Sequence, residues 1–543
     1  MQKKHLLLIT GGNHHDFTGG GKIISDVLKQ SGYDVTITED RHALAGLPGS
    51  DYAGIVVYTQ GGHLTPDEEK GLLEFVKSGH GFTGIHCAND SWKENAGYME
   101  MLGSSFKTHG PQAEVEIESV DANHIVSRHF HPFRLYTELY QLNGDPSGFH
   151  TLLHTNWQGK MEPVAYVKPY GKGKVFYYSL GHSPADFNHP EWRKTFVRGV
   201  RWSTGLEEKP TLKTGVIGYG GAFNMGRQHL TEMKQAGLVP TAACDIDPAR
   251  VAIASSDFPG IETYTSVAEM LKKTSAELIT VILPHNLHEQ AAVDVLNSGR
   301  HCIVEKPMAL SSAEVGAMEA AAQKNNRMLS VFHNRRWDGD FLTLEELLNR
   351  RHALGRIFQM EMTATGYHYQ RSWWRSSKQI SGGSHYDWGA HYLYWALELI
   401  PAKVSWVVAT AQNLVWHNVS NEDHVQAYIR FDNNLVLTIE FSSISKLPKP
   451  RWRIAGTTGA IQADWGDTFL MWTYDRGINT KEPAKMEYFK GQNQRYYENV
   501  ADHLRLGDAL EITSEKAGRV IRILETIDRA AASGKQETVP GEQ

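Results

Sequence analysis

Short apolar runs alternate with helix-length amphipathic stretches along this chain, and that alternation restricts the fold more than any other feature of the sequence. Thr65, Pro66 and Glu68 mark the start of one such helix, as the cap, the first helical residue and the third residue after the cap. The pattern predicts a parallel sheet with helices on both faces. The runs predicted to be its strands are residues 6–10, 34–37, 54–58, 81–85 and 175–180.

A polar, proline-containing linker at Thr204–Lys213 ends this series, and a second strand–helix series begins directly after it. We expect a second doubly wound unit there. Beyond about residue 355 the runs alternate in polarity at every second residue, which is typical of an open antiparallel sheet. A periodic stretch at 513–533 predicts a terminal helix that packs back on the folded body. The predicted strands are 214–217, 240–245, 278–284 and 301–305 in the second series, and 357–365, 404–411, 424–431 and 435–441 beyond it.

The chain has 543 residues, which is too many for a single hydrophobic core. We therefore predict three domains. They are an α/β domain over residues 1–206, a Rossmann dinucleotide-binding domain over 211–335, and an α+β domain with an open antiparallel sheet over 336–543.

The composition argues against several classes of protein. A net charge of −6, without a stripe of Lys and Arg, offers no basic surface to nucleic acid. No run approaches the roughly twenty apolar residues of a membrane span, and Leu6–Ile9 is too short for the apolar core of a signal peptide. Cys87, Cys244 and Cys302 stand singly, which indicates a reducing compartment and predicts a cytoplasmic protein.

A glycine-rich turn follows the first strand of the second series and precedes a predicted helix. Gly218, Gly220 and Gly221 allow the backbone to turn sharply and approach a pyrophosphate, whose charge then lies at the helix amino terminus. Phe223 occupies the position of a third glycine, and Gly226 follows three residues later. We expect a bound dinucleotide here, and a glycine-rich turn without a ligand is the alternative.

Asp245 ends the next predicted strand, where a carboxylate can accept hydrogen bonds from both ribose hydroxyls. This favours NAD, while the nearby Arg250 keeps NADP possible. Residues at a further strand end are expected to border the nicotinamide. The predicted cofactor-binding residues are Gly218, Gly220, Gly221, Phe223, Asn224, Met225, Asp245, Arg250, Pro284, Asn286, His288, Glu305 and Lys306.

Two short motifs carry the predicted chemistry. Glu305 and Lys306 follow an apolar strand and precede Pro307, at the side where open α/β sheets bind ligands. Asp387 and His391 are four residues apart, so on a helix they share one face. The alternatives are a solvated Glu–Lys pair at a strand end and an ordinary ion pair on a helix surface.

Oxidation of a secondary alcohol needs a hydride acceptor, a base for the hydroxyl proton and a positive group beside the developing alkoxide. Nicotinamide, His391 and Lys306 would fill these roles, and Asp387 would orient His391 and bind a neighbouring hydroxyl. We therefore predict these three residues as catalytic. Four aromatic side chains suit stacking on a sugar ring, with ordinary packing as the alternative: Tyr367, Tyr369, Trp373 and Trp374.

Residues 211–535 resemble the Gfo/Idh/MocA oxidoreductase family. The matching motifs are Gly226-Arg227-Gln228-His229, Asp245 with Asp247 and Arg250, Pro284-His285-Asn286, Glu305-Lys306-Pro307, Arg336, the Gly-Gly…Asp387…His391 signature and the Gly456–Gly459 turn. The resemblance implies a sugar or cyclitol substrate, with the lysine and the histidine of these motifs as the catalytic pair. The stretched glycine loop and Tyr394, where an acid is common in the family, are departures.

Two further expectations belong to this resemblance. By analogy with relatives, we expect a homo-oligomer formed through the open face of the second sheet. Together with the aromatic residues above, the motifs also predict where a small-molecule sugar or glycoside binds. The predicted substrate-binding residues are Arg336, Trp373, Trp374, Asp387 and His391.

Residues 1–205 resemble the trehalose-utilisation (ThuA-like) domain, which is similar to the flavodoxin-like class I glutamine amidotransferases. The matching segments are Gly11–Phe17, Gly81–His86, Thr137–Tyr140 and Val175–His182. His86 takes the position of the amidotransferase nucleophile and Cys87 is displaced by one, so we expect no amidotransfer.

Four residues of this domain fall at strand ends and are expected to converge on a polar pocket for a sugar or a metal ion. Separate hydrogen-bonded histidines in a structural domain are the alternative, and no metal site is assigned. The four residues are His15, His86, Glu138 and His182.

These observations lead to three hypotheses about function. The first is an NAD-dependent oxidoreductase, with NADP possible, that acts on a secondary hydroxyl of a sugar or glycoside in carbohydrate catabolism. The second is a glycoside-cleaving enzyme that oxidises, eliminates and re-reduces, so that NAD is recycled. The third is a non-catalytic sugar or NAD sensor, against which the presence of both Lys306 and His391 argues.

Overall fold

The computed structural model describes residues 3–220, 223–447, 449–475, 478–479 and 482–542. The chain divides into two compact units. The first unit comprises residues 1–209 and 504–509, and the second unit comprises residues 210–503 and 510–543. Among the described helices, none offers an apolar stretch of the length that crossing a lipid bilayer requires.

The first unit is built on a nine-stranded sheet. Its strands and those of a separate two-stranded sheet are β1 (Lys4–Gly11), β2 (Tyr33–Thr38), β3 (Tyr52–Thr59), β4 (Gly81–Ile85), β5 (Ser105–His109), β6 (Ala113–Ser119), β7 (Phe133–Thr137), β8 (Tyr140–Asn143), β9 (His150–Trp157), β10 (Lys160–Tyr170) and β11 (Gly173–Tyr178). The helices are α1 (Phe17–Gln30), α2 (Pro66–Lys77), α3 (Ala96–Leu102), α4 (Pro184–Phe187) and α5 (Pro190–Ser203).

The large sheet has the strand order β2-β1-β3-β4-β11-β10-β9-β6-β7, while β5 pairs with β8. The first five strands are parallel, as the alternation of the sequence predicts. From β11 onward the neighbours are antiparallel. Only residues 158–159 and 171–172 separate β9, β10 and β11. Because two residues suffice for a hairpin but not for a crossover, these strands must run antiparallel.

Apolar cores lie on both faces of this sheet. Ile24 of α1 and Trp192 of α5 belong to one core, and Phe75 of α2 belongs to the other. The predicted start of α2 is confirmed: Glu68 N–H donates to Thr65 Oγ1 over 3.3 Å, and Thr65 N–H donates to Glu68 Oε2 over 2.8 Å. These reciprocal bonds satisfy amide groups that the first helical turn leaves unpaired.

The second unit begins with a six-stranded parallel sheet in the order β14-β13-β12-β15-β16-β17. Numbered from its own first strand this is 3-2-1-4-5-6, the order of a dinucleotide-binding Rossmann fold. The strands are β12 (Lys213–Ile217), β13 (Val239–Cys244), β14 (Glu262–Tyr264), β15 (Leu278–Val281), β16 (His301–Val304) and β17 (Leu329–Val331). The helices are α6 (Met225–Gln235), α7 (Pro248–Asp257), α8 (Val267–Lys273), α9 (His288–Asn297) and α10 (Ser312–Asn325).

A second sheet follows, in the order β19-β20-β21-β18-β22-β23-β24-β25, with β26 also paired to β24. Its strands are β18 (Ile357–Thr365), β19 (Val404–Gln412), β20 (His424–Phe431), β21 (Val436–Ser442), β22 (Trp452–Gly456), β23 (Gly459–Ala463), β24 (Thr468–Asp475), β25 (Ile478–Asn479) and β26 (Ala484–Glu487). The helices are α11 (Gly339–Glu345), α12 (Lys378–Ser381), α13 (Ser384–Leu399), α14 (Arg495–Leu506) and α15 (Ser514–Ser533).

The prediction of a purely antiparallel second sheet needs one correction, because β18 and β21 run parallel. The chain leaves β18, forms α12 and α13, and returns through β19 and β20 to reach β21. This long helical connection permits a parallel pair, which a short turn cannot. The predicted terminal helix is confirmed as α15, which Thr513 caps and which packs against β19, α10 and α13.

Candidate active site

The glycine turn lies after β12, where the strand order of the Rossmann sheet reverses and a crevice opens at the carboxyl ends. Gly218 has φ +98°, and a Cβ there would lie 2.0 Å from the carbonyl oxygen of Ile282. A Cβ on Gly226 would lie 2.7 Å from Tyr219 Cα, so Gly226 lets α6 pack tightly on the turn. In the usual fingerprint, the third glycine allows the helix to pack closely on the strand. Here Gly226 has that role, three residues further along the chain.

Asp245 follows β13 and faces the glycine turn. Its Oδ2 atom accepts hydrogen bonds from the backbone N–H groups of Tyr219 (2.8 Å) and Gly220 (3.0 Å). The Arg250 side chain crosses the same turn, since a Cβ on Gly220 would lie 2.6 Å from Arg250 Cδ. The Asp245 carboxylate therefore lies beside the glycine turn, and its two hydrogen bonds also hold that turn in place. Gly221 lies outside the described residues.

The remaining loop residues stand at the start of α6. Asn224 precedes the helix in the left-handed conformation with φ +51°, Met225 is the first helical residue, and the Phe223 side chain is exposed. Pro284 and the exposed Asn286 follow β15, the strand across the crevice. The predicted cofactor-binding positions at 223–225, 284 and 286 therefore border the crevice.

His288 and His285 are placed differently from what the sequence suggests. His288 is fully buried, and its ring nitrogens face the carbonyl oxygens of Pro307 (2.9 Å) and Leu283 (2.8 Å). Both nitrogens are engaged, so the structure gives His288 a structural role rather than the predicted contact with nicotinamide. His285 lines a cavity, and its Nδ1 lies 2.9 Å from the carbonyl oxygen of Ser381; burial lowers the pKa of His285 to about 3.

Glu305 lies behind Lys306 in a buried network. Its carboxylate accepts hydrogen bonds from His229 Nε2 (3.0 Å) and from the backbone N–H of Lys306 (2.9 Å). His229 Nδ1 lies 2.6 Å from the Tyr497 hydroxyl. Burial would raise the pKa of Glu305, but the His229 hydrogen bond holds it below its ordinary value. Glu305 therefore fixes the strand end that carries Lys306, and its carboxylate is committed to protein groups.

Lys306 forms an ion pair with Asp387 across the crevice. Its ammonium group donates to Asp387 Oδ1 and lies 3.3 Å from the backbone carbonyl oxygen of Asp387. Arg375 Nη1 donates to the same Oδ1 over 2.9 Å. Burial would raise the pKa of Asp387, but the charges of Lys306 and Arg375 hold it well below its ordinary value. A carboxylate at this position thus fixes two cations beside the cavity.

His391 lies one turn further along α13 and is buried. Burial and the charge of Lys306 hold the pKa of His391 well below its ordinary value, so the imidazole is neutral. Asp387 is bound to Lys306 and Arg375, and among the described residues no hydrogen bond joins it to His391. The predicted role of Asp387 as the orienter of His391 is therefore not what the geometry indicates; Asp387 orients Lys306.

A buried aromatic pair lies beside His391. His333, which the sequence reasoning did not identify, has its ring centroid 5.9 Å from that of His391, and burial lowers the pKa of His333 to about 3. Tyr394, noted in the sequence as a departure from the family pattern, stacks on His333 at 4.5 Å, and burial raises the pKa of Tyr394 well above its ordinary value. The pair next to the imidazole is therefore uncharged.

The role of Arg336 in substrate binding stays a prediction, because two of its guanidinium nitrogens, Nε and Nη1, are buried without a hydrogen-bond partner among the described residues. Its guanidinium is buried, donates to Glu345 Oε1 over 2.6 Å, and lies 3.8 Å from Glu398. It does not belong to the lining of the cavity. The preceding residue, Arg335, lies over the ring of Trp388, which does line the cavity. The sequence could not distinguish two adjacent arginines in a short helical turn.

A cavity of about 540 Å³ opens beside Asp387. Arg375 stands at its wall, stacked over Trp374 at 4.7 Å, Phe223 at 5.3 Å and Trp373 at 5.6 Å. Sequence reasoning missed Arg375, although a cation directly after two tryptophans was a usable signal. Other lining residues are Tyr369, Gln370, Arg371, Trp388, Asn421, Glu422 and Trp465, while Tyr367 packs nearby on Trp416.

In the first unit, the four residues predicted to share a pocket do come together. One donor atom from each of His15, His86, Glu138 and His182 lies within 4.8 Å of the others. His86 follows β4 with φ +43°, a strained conformation for a residue other than glycine. Cys87 beside it is buried, and burial raises its thiol pKa well above the ordinary value, in agreement with the absence of a thiol nucleophile.

Family models match most of the chain. The model described as ThuA, trehalose utilisation, matches residues 5–203. The model described as oxidoreductase family, NAD-binding Rossmann fold (GFO_IDH_MocA) matches residues 212–333, and the GFO/IDH/MocA C-terminal domain matches residues 341–462.

Individual relatives match the second unit. The scyllo-inositol 2-dehydrogenase (NADP(+)) IolW of Bacillus subtilis is 26% identical over 349 residues, covering 59% of this chain and 94% of that protein. Inositol 2-dehydrogenase of Salmonella typhimurium is 30% identical over 167 residues, covering 30% of this chain and 47% of that protein. The structure of an NAD-binding protein from Listeria innocua superposes with a TM-score of 0.55 at 25% identity, covering 61% of this chain and 98% of the other. The chain therefore joins a ThuA domain to an NAD(P)-dependent oxidoreductase of the GFO/IDH/MocA family.

Proposed function

We propose that the second unit transfers a hydride between a secondary hydroxyl of a sugar or glycoside and the nicotinamide of NAD, in carbohydrate catabolism. The observation that carries the proposal is the ion pair of Lys306 with Asp387 at the cavity wall, one helical turn from a buried, neutral His391. The two relatives named above are, by their names, inositol dehydrogenases, which supports a polyhydroxylated substrate.

The cofactor fits the crevice at two points. The turn at Gly218 and Gly220 leads into the amino end of α6, where a pyrophosphate is stabilised. Asp245 stands opposite, where it can exchange its loop hydrogen bonds for ribose hydroxyls. When bound, the nicotinamide supplies the hydride acceptor.

Proton removal and charge stabilisation are then assigned to His391 and Lys306. His391 is neutral and can take the hydroxyl proton, which a protonated imidazole could not do. The Lys306 ammonium, aimed by Asp387 and by the strand end that Glu305 fixes, stabilises the oxygen as negative charge develops on it. Loss of the hydroxyl proton to His391, together with loss of a hydride from the carbon that bears this oxygen, leaves a ketone.

The cavity supports a sugar rather than a small alcohol. Its volume falls in the range of about 300–1,000 Å³ that ligand sites occupy. Trp373, Trp388 and Trp465 offer flat apolar faces, while Gln370 and Arg371 add polar side chains to the lining. We infer that a disaccharide or a glycoside can be accommodated, with one ring beside Asp387.

The test is a screen of mono- and disaccharides with the full-length protein and NAD, following reduced cofactor and product mass. Formation of reduced cofactor together with a product two mass units lighter than the sugar supports the proposal. Binding of NAD and of a sugar without any turnover across the screen would contradict it and favour a sensor.

A second candidate is redox-assisted glycoside cleavage, in which the cofactor is reduced by the sugar and then re-oxidised within one turnover. It is favoured by the closure of the crevice: the Phe223 ring lies 6.4 Å from that of Trp373, and Arg375 stacks on both. Side chains that meet across the crevice would retain a cofactor between its two uses. Cleavage of the glycoside without net reduced cofactor would establish this candidate over simple dehydrogenation.

Replacing Asp245 by Asn should weaken binding of NAD by about tenfold, because the hydrogen bonds to a charged group are lost. The affinity for NADP should change less, since loss of the carboxylate removes repulsion of the 2′-phosphate. Quenching of tryptophan fluorescence measures both affinities. Asp294→Asn, an exposed change on α9, is the matched control. An unaltered preference between the two cofactors would contradict this assignment.

The pKa of His391 predicts an unusual pH profile. A general base must be unprotonated, and a pKa held well below the ordinary value keeps the imidazole unprotonated as the pH falls through about 6.5. We expect kcat/KM to stay level between about pH 7.5 and 6. A decline that begins near pH 6.5 would show that His391 titrates normally in the free enzyme, against this account.

A further inference from the structure

The four residues that meet in the first unit form what we call the histidine cluster: His15, His86, Glu138 and His182. Three ring nitrogens in the cluster are buried and have no hydrogen-bond partner in the part of the chain that the structure describes: His15 Nδ1, His86 Nε2 and His182 Nδ1. Buried polar atoms are nearly always satisfied in proteins, because leaving one unpaired costs free energy. Three of them around one carboxylate point to a ligand that contacts them all.

The outer nitrogens of two of these rings are held by protein groups. His86 Nδ1 donates to the backbone carbonyl oxygen of Ser179 over 2.6 Å, which leaves Nε2 with its lone pair directed into the cluster. His15 Nε2 lies 3.4 Å from the Tyr140 hydroxyl, which can accept its proton and leave Nδ1 as an acceptor. Both rings are thus held with an unprotonated nitrogen facing inward.

The other two members are held in the same way. Gln112 Nε2 lies 2.7 Å from His182 Nε2, and a half-turn of the Gln112 amide places its oxygen there to accept the ring proton. The Glu138 carboxylate is contacted from outside by His109 Nδ1 at 3.1 Å. Histidine ligands of metals almost always carry such a partner on the second nitrogen, which fixes the ring and its tautomer.

We propose that the histidine cluster binds one divalent transition-metal ion through three imidazole nitrogens and the Glu138 carboxylate. Donor atoms around a tetrahedral ion at about 2.1 Å stand about 3.4 Å apart. Glu138 Oε1 lies 3.5 Å from His182 Nδ1 and 3.7 Å from His86 Nε2, so small shifts complete the site.

The donor set also indicates the class of ion and of ligand. Imidazole and carboxylate suit zinc, manganese, iron, cobalt or nickel, whereas magnesium and calcium prefer oxygen donors alone. The side chains of Glu138 and His182 are 13% and 20% exposed, so solvent reaches the cluster. A water molecule or a hydroxyl or carbonyl oxygen of a sugar can therefore take a further coordination position.

This proposal is independent of the hydride-transfer proposal, because the cluster lies wholly within the first unit. The proposed metal site also agrees with two features at and beside His86. His86 adopts a strained backbone with φ +43° to direct its ring inward, and the residue beside it, Cys87, is buried. A nitrogen ligand thus stands where the amidotransferase resemblance would place a thiol.

The test uses full-length protein purified without a polyhistidine tag, which would itself bind metal. Bound metals are counted by inductively coupled plasma mass spectrometry, and Co²⁺ is then titrated into chelator-treated protein while its visible absorption is followed. We expect about one ion per chain and a Co²⁺ spectrum of nitrogen and oxygen coordination. Glu138→Gln and His182→Asn should each lower Co²⁺ affinity by more than about tenfold.

A matched control exists in the same unit. His150 Nε2 lies 2.9 Å from Asp121 Oδ2, with the His124 ring 6.0 Å away, so His150→Asn removes a histidine from another histidine–carboxylate group. It should leave Co²⁺ affinity unchanged. Circular dichroism and NAD affinity show whether each variant is folded. Wild-type protein that binds less than about a tenth of an ion per chain, or equal Co²⁺ affinity in wild type and Glu138→Gln, would overturn the proposal.

Discussion

Lys306→Met is expected to lower kcat/KM for the sugar by about 10²–10³-fold, the cost of removing one group that stabilises developing charge. The substitution keeps the length of the side chain but deletes the ammonium that Asp387 holds beside the cavity. Asp387 retains Arg375 as a partner at 2.9 Å, so the carboxylate is not left as an isolated buried charge. NAD affinity should therefore stay within about threefold of wild type.

Lys516→Met is the matched control for this prediction. Lys516 also forms a partly buried ion pair in the second unit, with Glu398 at 3.0 Å, but it lies on α15 and outside the cavity lining. Its replacement should leave kcat/KM within about twofold of wild type. Steady-state kinetics with the best sugar from the screen measures both variants. Similar rates for wild type and Lys306→Met would refute the role given to the lysine.

Arg198→Met is expected to have the largest effect on stability, a loss of about 3–5 kcal/mol in the free energy of unfolding of the first unit. Arg198 is fully buried on α5, and its Nε and Nη2 atoms donate to Asp508 Oδ2 over 2.8 and 2.6 Å. Arg201 also contacts Asp508, at 3.2 Å. Removing Arg198 takes its charge away from a buried carboxylate, which keeps the longer contact to Arg201.

Chemical denaturation followed by circular dichroism measures this loss, and hydrogen exchange of the α5 amides assigns it to the first unit. Arg134→Met provides the comparison, because Arg134 pairs with Glu116 at 3.0 Å but its side chain is 62% exposed. An exposed ion pair contributes at most about 1 kcal/mol. Equal losses in the two variants would mean that burial does not set the strength of the Arg198 pair.

Periodicity was enough to predict the four central strands of the Rossmann sheet, β12, β13, β15 and β16, but not the short edge strands β14 and β17. Each of its apolar runs is flanked by helical segments, and this local pattern determines a doubly wound sheet almost uniquely. The parallel pairing of β18 with β21 was not predictable in the same way. The strands predicted for that sheet alternate in polarity, and alternation reports which face is buried but not which strand is the neighbour.

The active-site motifs were found because their residues stand at strand ends or one helical turn apart. Their partners came from elsewhere in the chain: Arg375 from the short 3₁₀ helix Trp374–Ser376 and His333 from just after a strand. Asp387 was assigned to His391 because helical spacing allows that pair, but a cation across the crevice offers stronger attraction than a neutral ring. The spacing of residues along a helix predicts which residues of that helix are neighbours. It cannot predict a partner from a distant part of the chain, such as Lys306.

In the first unit, the same reasoning from strand ends brought four residues together correctly. It did not supply the groups that hold them, because Ser179 contributes only its backbone and Gln112 and His109 lie on a separate segment. These outer contacts are what distinguish a set of metal ligands from histidines that merely lie close together. The sequence does not give these outer contacts, because they depend on the positions of individual atoms.

The central claim is that Lys306 and His391 act on one alcohol carbon beside the nicotinamide. A single-turnover experiment tests it most directly: protein saturated with NAD is mixed with each sugar, and the absorbance of reduced nicotinamide is followed before any cofactor can dissociate. The account predicts a rapid rise in wild type with at least one sugar, transient if the glycoside is cleaved, and almost no rise in Lys306→Met with NAD bound. Absence of reduced nicotinamide with every sugar that binds, or an equal rise in Lys306→Met, would contradict it.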